Sequence, residues 1–440
     1  MHRGAPSFFL VIFFLKTIPD MSGRKLTIGL FGFGVVGEGI YNVLQQASSL
    51  QATIKKICIK HPGKKRAADP NLFTTDAEAL LNDPGINLIV ELIDDADDAF
   101  IIVSTALRNG KDVVSANKKM IAEHLPDLLA LQAEHGTSLL YEASVCGSIP
   151  IIRNLEEYYD NDLLDSITGI VNGSTNFILT KMAEDGLAYK DALLQAQQLG
   201  FAESNPTLDV DGYDALNKLT ILLAHTYGVA ARPTSLLFKG ISQLHPTDAT
   251  YAATRGYKIK LAAQVRRMGR GQVAAQVLPQ FVKPDSQLFG VRNEYNGVII
   301  ESHLADQQFL YGKGAGRYPT SSAVLSDIAA LRYQYKYEYR KLHSPEKYSV
   351  TQDYYLNVYV SFNNWSEVSK WDFESIDEFH STQERQYLAG TIHVEKLMRA
   401  DWFQSPAVSL IVMPDGLVRK DAIALKSIKK ISLQLGGIFE

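Results

Sequence analysis

Residues 25–39 read KLTIGLFGFGVVGEG, and this stretch decides the fold of the first third of the chain. A β-branched, apolar run ends in glycines, and Val36, Ile40 and Leu44 then recur at helical spacing. Glycines at such a strand-to-helix turn let a pyrophosphate approach the backbone, and the helix N-terminus attracts the anion. The pattern predicts a dinucleotide site, and a purely structural tight turn is the alternative. The predicted contacts are Gly32, Phe33, Gly34, Val35, Val36, Gly37 and Gly39.

Strands and helices continue to alternate after this turn. The predicted strands are 25–33, 53–59, 88–93, 111–115 and 138–141, and the predicted helices are 35–44, 99–107 and 125–134. Alternation at this spacing indicates a parallel sheet with right-handed crossovers. Residues 21–149 are therefore predicted to form a Rossmann-type dinucleotide-binding domain in a protein of the α/β class.

The pattern changes after Pro150. Long helical segments, 191–199 and 213–227, lie among short strand-like runs, so we predict an α+β catalytic and dimerisation domain over 150–331, which ends in a returning helix. Tyrosines and charged residues alternate from Arg332 to Arg340, with Tyr333, Tyr335, Tyr337 and Tyr339 on one face. A half-buried strand or a linker with inward-facing tyrosines is favoured over a nucleic-acid surface. We assign 332–349 to a linker and 350–440 to a small α+β C-terminal domain.

Composition narrows the class of protein. The 440 residues carry 44 basic and 48 acidic side chains, so a net charge of −4 gives no electrostatic reason to bind nucleic acid or anionic lipid. Two cysteines cannot form a disulfide framework, which favours a reducing, cytoplasmic setting. The apolar run 8–15 is too short to span a membrane. We expect residues 1–20 to be a non-native upstream extension before Met21, with a signal peptide as the alternative.

The end of the second predicted strand bears on the choice of cofactor. NAD-specific sites normally place an acidic side chain there to hold the ribose 2′-hydroxyl. This chain instead carries Lys60, Lys64, Lys65 and Arg66 and has no acid before Asp69. Cations at this point suit a 2′-phosphate, so the sequence favours NADP over NAD, with Lys60 as a contact; a solvated basic loop is the alternative.

Two lysines and several acids form the candidate catalytic set. Lys118 follows a predicted parallel strand, where side chains lie on the ligand side of the sheet. Asp214 and Lys218 are four residues apart and share a helical face. Three further acids precede this helix: Glu203, Asp209 and Asp211. Carboxylates that converge with a lysine can hold an ammonium and position a proton donor; a capped helix with one exposed ion pair is the alternative.

Six motifs in a fixed order resemble those of the homoserine dehydrogenase family. They are GFGVVGEG (32–39), SANK (115–118), YEASVCGSIPII (141–152), VNGSTNFIL (171–179), GFAESNPTLDVDGYDALNKLTIL (200–222) and GKGAGRYPTSSAVLSD (312–327). Neither chance nor a generic Rossmann protein explains this ordered set. The resemblance implies reversible NAD(P)H-dependent reduction of L-aspartate 4-semialdehyde to L-homoserine, on the route to threonine and methionine.

The resemblance also implies roles for individual residues. Lys218 would donate a proton to the carbonyl oxygen, with Lys118 assisting beside the nicotinamide. An ammonium can stabilise and protonate the alkoxide that hydride transfer creates. The residues implied to hold the amino-acid end of the substrate are Glu203, Asp209 and Asp214. Gly316, in the returning segment, would contact the cofactor, and a homodimer or higher homo-oligomer is expected.

A monovalent cation, usually sodium, is implied at a loop between the domains. The family holds it with a glutamate side chain and backbone carbonyls, and the matching positions are Glu142, Val145, Gly147 and Ile149. Hard oxygen ligands suit such an ion, and we expect its role to be structural. Cys146, in the same loop, is expected to be a packed small residue, because the reduction needs no covalent intermediate.

Two features depart from the family pattern. Acids, Asp94 and Asp95, follow the third strand close to where the family usually has a Gly-Gly pair near the nicotinamide. Long members carry a C-terminal ACT domain, but residues 363–366 read NNWS in place of its Asp-x-Pro-Gly turn, so the tail is expected to be a diverged ACT-like domain. We expect a chain cut after about residue 345 to leave a soluble, active core.

Two other interpretations remain open. An aspartate-semialdehyde dehydrogenase would share the substrate and the general plan but would need a nucleophilic cysteine. A non-catalytic sensor would bind nucleotide and amino acid through a decayed site.

Overall fold

The computed structural model describes residues 23–160, 163–269, 271–382 and 385–419. The predicted extension 1–20, with its apolar run, lies outside the described residues. Two β-sheets organise the described chain. None of the helices in these ranges is long and apolar enough to cross a membrane.

The first sheet has six strands, all parallel to their neighbours. Its elements are β1 (Leu26–Phe31), α1 (Val35–Gln46), β2 (Ala52–Cys58), β3 (Phe73–Thr74), α2 (Glu78–Leu81), β4 (Leu88–Glu91), α3 (Ala96–Arg108), β5 (Asp112–Ser115), α4 (Lys118–His135) and β6 (Leu139–Leu140). The strand order is β3-β2-β1-β4-β5-β6. This is the order of a Rossmann-type sheet, so the predicted nucleotide-binding half is confirmed.

Helix α4 begins at Lys118, well before the predicted start at 125. Asn117 caps the helix, because its side chain accepts a hydrogen bond of 3.0 Å from the Met120 N–H. The apolar spacing did not reveal this cap. Its consequence is that Lys118 lies in the first turn of a helix, directly after the carboxyl end of β5.

The second sheet takes in most of the remaining chain. Its elements are α5 (Ile151–Glu157), β7 (Leu164–Ile170), α6 (Gly173–Glu184), α7 (Tyr189–Gln198), α8 (Thr207–Val210), α9 (Tyr213–Tyr227), β8 (Leu237–Phe238), α10 (Pro246–Thr254), β9 (Lys258–Gly269), β10 (Gln272–Val282), β11 (Tyr295–Ser302), β12 (Asp306–Lys313), α11 (Arg317–Leu331), α12 (Arg340–His343), β13 (Ser349–Val350), β14 (Tyr355–Phe362), β15 (Phe373–Ser381), β16 (Gln386–His393), α13 (Val394–Arg399) and β17 (Ser409–Val418). The strand order is β12-β11-β7-β9-β10-β17-β14-β16-β15, with β8 and β13 also paired to β10. Helices α6 and α9 pack on this sheet, and α11 returns to pack on α1.

The C-terminal strands β14 to β17 join this second sheet. β17 pairs in parallel with β10, and the hydrophobic core of the tail includes Leu237, Ala274 and Leu278 from outside the tail. Within the tail the antiparallel order is β17-β14-β16-β15, as in a ferredoxin-like βαββαβ unit. A short 3₁₀ turn, Lys370–Asp372, lies between β14 and β15 where that unit has its first helix.

The predicted linker 332–349 contains α12 and the start of β13. Tyr337 and Tyr339 are buried, whereas Tyr333 is 63% exposed. The prediction of inward-facing tyrosines is confirmed for Tyr337 and Tyr339. The prediction that all four tyrosines lie on one face is wrong, because Tyr333 is exposed. The reason is local backbone geometry, because Gln334 and Tyr339 both have positive φ angles, which an extended strand does not allow.

Candidate active site

The candidate catalytic residues meet where the first sheet faces α9. Lys118 is the first residue of α4, and Asp214 lies in the first turn of α9. Lys118 Nζ is 3.0 Å from Asp214 Oδ1, and Lys218 Nζ is 2.7 Å from Asp214 Oδ2. One carboxylate therefore binds two ammonium groups, one from the Rossmann half and one from α9.

The Asp214 and Lys218 members of this triad of charges are buried. The Asp214 side chain is 7% exposed and that of Lys218 is 10%, whereas Lys118 is 41% exposed. Burial by itself would raise the pKa of Asp214, but the charges of Lys118 and Lys218 outweigh it and hold that pKa well below its usual range. The same carboxylate raises the pKa of Lys118. The alternative of one exposed ion pair is therefore wrong.

Lys218 is oriented by two acceptors. It donates to Asp214 Oδ2 and to the main-chain oxygen of Val171, both at 2.7 Å. An ammonium has three N–H bonds. Within the described chain two of them are used in this way, which leaves one N–H to meet a substrate oxygen.

Asn172 is a site residue that the sequence analysis missed. Its Nδ2 donates to Asp209 Oδ1 at 2.6 Å and to Asp214 Oδ2 at 2.8 Å. Its Oδ1 accepts from the Thr175 N–H at 2.8 Å and so caps α6. Burial, and then the charge of Asp214, raise the pKa of Asp209. An asparagine directly before Gly-Ser-Thr is a helix-start signal that could have pointed to this residue.

The structure brings together only two of the four predicted acids. Asp209 and Asp214 share Asn172, but Glu203 is exposed on the chain before α8. Asp211 turns away, because its Oδ1 accepts from Ser242 Oγ at 2.6 Å. The predicted convergence is therefore seen for Asp209 and Asp214 and is wrong for Asp211, whereas the role of Glu203 at the substrate stays a prediction.

The glycine turn has the geometry that a dinucleotide requires. Gly32 has a φ of +91°, and a Cβ on it would lie 2.7 Å from the Leu92 carbonyl oxygen. A Cβ on Gly37 would lie 2.5 Å from the Gly32 oxygen, whereas no atom lies within 4 Å of a Cβ built on Gly34. Close packing at Gly32 and Gly37 and open space at Gly34 match the roles of the three glycines in this motif, in which the middle glycine lets a pyrophosphate approach.

A cleft of about 520 Å³ lies beside this turn. It is lined by Phe33, Gly34, Val35, Glu38, Lys64, Lys65, Arg66 and Ala67. Arg66 shapes the basic loop by donating to the main-chain oxygens of Lys64 and His61. Lys60 is exposed and lies 3.8 Å from Asp98. The cleft beside the glycine turn is thus lined by Lys64, Lys65 and Arg66, and Lys60 is not among its lining residues.

The returning segment reaches the same region. Gly316 precedes α11, and Arg317 Nη2 lies 2.9 Å from Glu38 Oε2 on α1. Ser321 Oγ donates to the Val36 oxygen at 3.2 Å, and a Cβ on Gly39 would lie 2.5 Å from Ser321 Oγ. The second glycine cluster therefore lies near the first.

Comparisons with known proteins agree with this geometry. A family model described as the NAD binding domain of homoserine dehydrogenase matches residues 32–142, and the homoserine dehydrogenase model matches residues 150–329. The homoserine dehydrogenase of Bacillus subtilis (strain 168) is 36% identical over 317 residues, which are 70% of this chain and 73% of that protein. The chain belongs to the homoserine dehydrogenase family. It is accordingly an NAD(P)-dependent oxidoreductase.

Solved homoserine dehydrogenases share the fold over most of the chain. The enzyme from Thiobacillus denitrificans is 28% identical with a TM-score of 0.78, covering 89% of this chain and 98% of that one. A hyperthermophilic archaeal homoserine dehydrogenase in complex with NADPH is 26% identical with a TM-score of 0.62, covering 71% of this chain and 99% of that one.

The loop that the homoserine dehydrogenase resemblance assigns to a cation is buried. Glu142 accepts hydrogen bonds from the N–H groups of Ile152 and Arg153 at 2.9 and 2.8 Å, at the start of α5. Asp327 accepts from the Glu142 N–H at 2.9 Å and pairs with Arg153 at 2.8 Å. Burial, and then the charge of Asp327, raise the pKa of Glu142 to about 8. The Arg153 guanidinium thus pairs with Asp327, whereas Glu142 accepts from the Arg153 main-chain N–H.

No group of three His, Cys, Asp or Glu side chains within the described ranges could hold a metal ion. A cation at this loop would therefore rest on the single Glu142 carboxylate and on main-chain oxygens. Cys146 and Gly147 both have positive φ, at 57° and 51°, so the chain from Val145 to Ile149 turns tightly on itself. Such an oxygen-only donor set fits a monovalent cation.

Cys146 is fully buried in this loop. Burial raises the pKa of its thiol to about 11. A thiol that stays protonated is a poor nucleophile, which argues against the aspartate-semialdehyde dehydrogenase interpretation.

The unusual acids after β4 have local structural partners. Asp95 caps α3 by accepting from the N–H groups of Asp97 and Asp98 at 3.0 and 2.9 Å. Glu91 is buried and accepts from Ser115 Oγ at 2.5 Å, and burial raises its pKa to about 7. Asp94 is exposed and contributes to raising the pKa of Lys118. One of the two acids is therefore explained as a helix cap.

Proposed function

We propose that this homoserine dehydrogenase interconverts L-aspartate 4-semialdehyde and L-homoserine with Lys218 as the proton donor and acceptor, on the route to threonine and methionine. The observation that carries this proposal is the buried Asp214 carboxylate between Lys118 and Lys218. A nicotinamide cofactor held at the glycine turn would supply the hydride in the reducing direction. Negative charge then develops on the substrate oxygen, and the remaining N–H of Lys218 stabilises and protonates it.

The neighbouring residues act by orientation. Asp214 and the Val171 oxygen hold Lys218 from two sides, which limits the orientations of its third N–H. Lys118 comes from the Rossmann half, so we assign it to the nicotinamide side of the site. We assign Asp209 and Asp214 to the amino-acid end of the substrate, with Glu203 as a further contact of the substrate ammonium.

We propose NADP as the preferred cofactor. The support is the cleft beside the glycine turn, which Lys64, Lys65 and Arg66 line, since cations bind a 2′-phosphate. The test is oxidation of L-homoserine with NADP and NAD in parallel, followed by nicotinamide absorbance. In Lys64→Glu/Lys65→Glu we expect KM for NADP to rise about tenfold or more and KM for NAD to change less than about threefold, because only NADP carries the phosphate.

Lys60→Glu tests which lysines bind the 2′-phosphate: Lys64 and Lys65, as the cleft indicates, or Lys60, as the sequence predicted. We expect it to leave both KM values nearly unchanged, because Lys60 lies beside Asp98 rather than in the cleft. If KM for NADP rose as much in Lys60→Glu as in Lys64→Glu/Lys65→Glu, Lys60 would again be assigned as a contact of the 2′-phosphate. Equal KM values for the two cofactors in the unmodified enzyme would overturn the NADP preference. Nucleotide binding without turnover would favour the sensor interpretation.

We propose that the loop with Glu142, Val145, Gly147 and Ile149 binds sodium. The support is its oxygen-only donor set, in which the buried Glu142 carboxyl lies beside the buried Asp327. In NaCl the melting temperature is expected to exceed that in choline chloride of equal ionic strength, by about 1 °C for each kcal/mol of cation binding in a chain of this length. Glu142→Gln is the control that should remove this difference. Identical melting temperatures in both salts would overturn the proposal.

The remaining assignments stay predictions. These are the domain limits 21–149, 150–331, 332–349 and 350–440, a homodimer or higher homo-oligomer, a cytoplasmic location, and a diverged ACT-like tail. The strand order β17-β14-β16-β15 supports an ACT-like tail, because ACT domains have the ferredoxin-like arrangement. The 3₁₀ turn in place of a first helix supports the divergence.

A further inference from the structure

A closed ring of hydrogen bonds lies in the core at the far end of α9. Glu156 Oε1 is 2.6 Å from His225 Nδ1, and His225 Nε2 is 2.8 Å from Tyr141 Oη. Tyr141 Oη is 3.0 Å from Tyr339 Oη, and the Tyr339 main-chain N–H donates to Glu156 Oε2 at 3.0 Å. His225 and Tyr141 are both 0% exposed.

The chemistry of Glu156 sets the direction of one of these bonds. An ionised carboxylate only accepts, so His225 donates from Nδ1 to Glu156. The Tyr141 hydroxyl lies between His225 Nε2 and the Tyr339 hydroxyl and is hydrogen-bonded to both. The pKa of Glu156 is lowered, because His225 and the Tyr339 N–H outweigh the opposing effect of burial. Every member of the ring therefore has a satisfied partner.

The ring connects four parts of the chain. Tyr141 follows β6 and directly precedes Glu142, Glu156 lies on α5, and His225 lies on α9. Tyr339 comes from the segment that leads to the C-terminal strands. His225 follows Lys218 by seven residues, close to two helical turns, so the two side chains lie on the same side of α9.

The segment that carries Tyr339 is held firmly against the end of α9. Lys341 Nζ donates to the main-chain oxygens of His225 and Leu155 at 2.9 and 2.7 Å. A Cβ on Gly228, which ends α9, would lie 2.3 Å from the Lys341 oxygen. The helix with Asp214 and Lys218 at one end is thus anchored at its other end by residues 337–341.

We propose that His225 and Tyr339 are positioning residues for the reaction: the ring Glu156–His225–Tyr141–Tyr339 sets the placement of α9, and hence of Lys218 and Asp214, against Lys118 of the Rossmann half. The ring joins the residue before Glu142 to α9, so it spans the same two halves of the protein as the Lys118–Asp214 ion pair. The four side chains of the ring are too deeply buried to contact substrate, so the ring acts through Lys218. The inference rests on the proposed role of Lys218.

Tyr339→Phe is the first test, because it deletes one hydroxyl and keeps the ring shape of the side chain. We expect kcat for L-homoserine oxidation to fall about tenfold, KM for homoserine to stay within about twofold, and the solvent deuterium isotope effect on kcat to rise. A misplaced Lys218 slows proton transfer, and a tenfold change corresponds to about 1.4 kcal/mol in the barrier. Tyr333→Phe is the matched control, since Tyr333 is exposed on the same segment, and it should change none of these values.

A second variant tests whether the hydroxyls act as one unit. Tyr141→Phe should cause a similar loss, and the Tyr141→Phe/Tyr339→Phe double variant should lose little more than Tyr141→Phe alone, because both changes break the same link. Normal kcat and isotope effect in Tyr339→Phe, or a lowered melting temperature with normal turnover per folded enzyme, would overturn the positioning role. Normal turnover in Lys218→Ala would instead show that the proposed role of Lys218 has failed.

Discussion

Lys218→Ala is expected to lower turnover in L-homoserine oxidation by about 10³-fold or more while the protein stays folded. A positioned acid–base group contributes about 10²–10⁴-fold, and this one also carries the charge that faces the developing alkoxide. The loss also leaves Asp214 with Lys118 as its only neighbouring ammonium in the described site. The measurement is kcat with saturating cofactor, together with circular dichroism and melting temperature.

Lys181→Ala is the matched control for this change. Lys181 forms an i,i+4 ion pair with Asp185, at 2.9 Å, on a different helix. The two variants delete the same kind of side chain and an ion pair of the same spacing, but the Lys181 pair is more exposed and lies outside the candidate site. We expect turnover of Lys181→Ala within about twofold of the unmodified enzyme. Near-normal turnover in Lys218→Ala would remove Lys218 from the mechanism.

Cutting the chain after residue 345 is expected to give an insoluble or aggregating fragment, contrary to the expectation from sequence. The cut removes β13 and β17, which pair with β10 on either side of β8, and so opens much of one edge of a central strand. It also uncovers Leu237 and Leu278, which are 4% and 2% exposed. Each buried leucine contributes about 1.5–3 kcal/mol. Size-exclusion chromatography of the expressed fragment measures the outcome.

A repaired fragment tests the cause of this aggregation. Ala274→Lys and Leu278→Gln place polar side chains on the face that the tail covers, so the fragment with both changes should be more soluble than the plain fragment. A monodisperse, active fragment without these changes would show instead that the tail is an independent module.

The local sequence pattern was sufficient to predict the main strands and the glycine turn of the Rossmann half. Strands β1, β4 and β5 are buried on both faces, so they read as short apolar runs, and the glycine turn marks where β1 meets α1. Helix α9 was also predicted at its observed limits, Tyr213–Tyr227, because its apolar spacing is regular and it ends at Gly228. The short strand β3 was not predicted, because two residues are too few to show a periodic pattern.

The site was predicted in its residue types and only partly in its geometry. The i,i+4 spacing of Asp214 and Lys218 follows from helix geometry alone, but their contact with Lys118 depends on how two sheets pack together. Asn172 was missed because its partners, Asp209 and Asp214, are distant in sequence. Lys60 was preferred to Lys64 and Lys65 because only the folded loop shows which cations face the glycine turn.

The parallel nucleotide-binding sheet, the ordered motifs of homoserine dehydrogenase, and the lysines and carboxylates of the site could all be predicted from the sequence. These follow from backbone preferences and from short-range spacing, which act within a few residues. The folded chain was needed to show that one buried carboxylate binds both lysines, that the tail completes the sheet beside β10, and that Tyr339 closes a ring with His225. Each of these depends on the burial of groups that lie far apart in the chain, and burial is what sets the strength of charge pairs and hydrogen bonds.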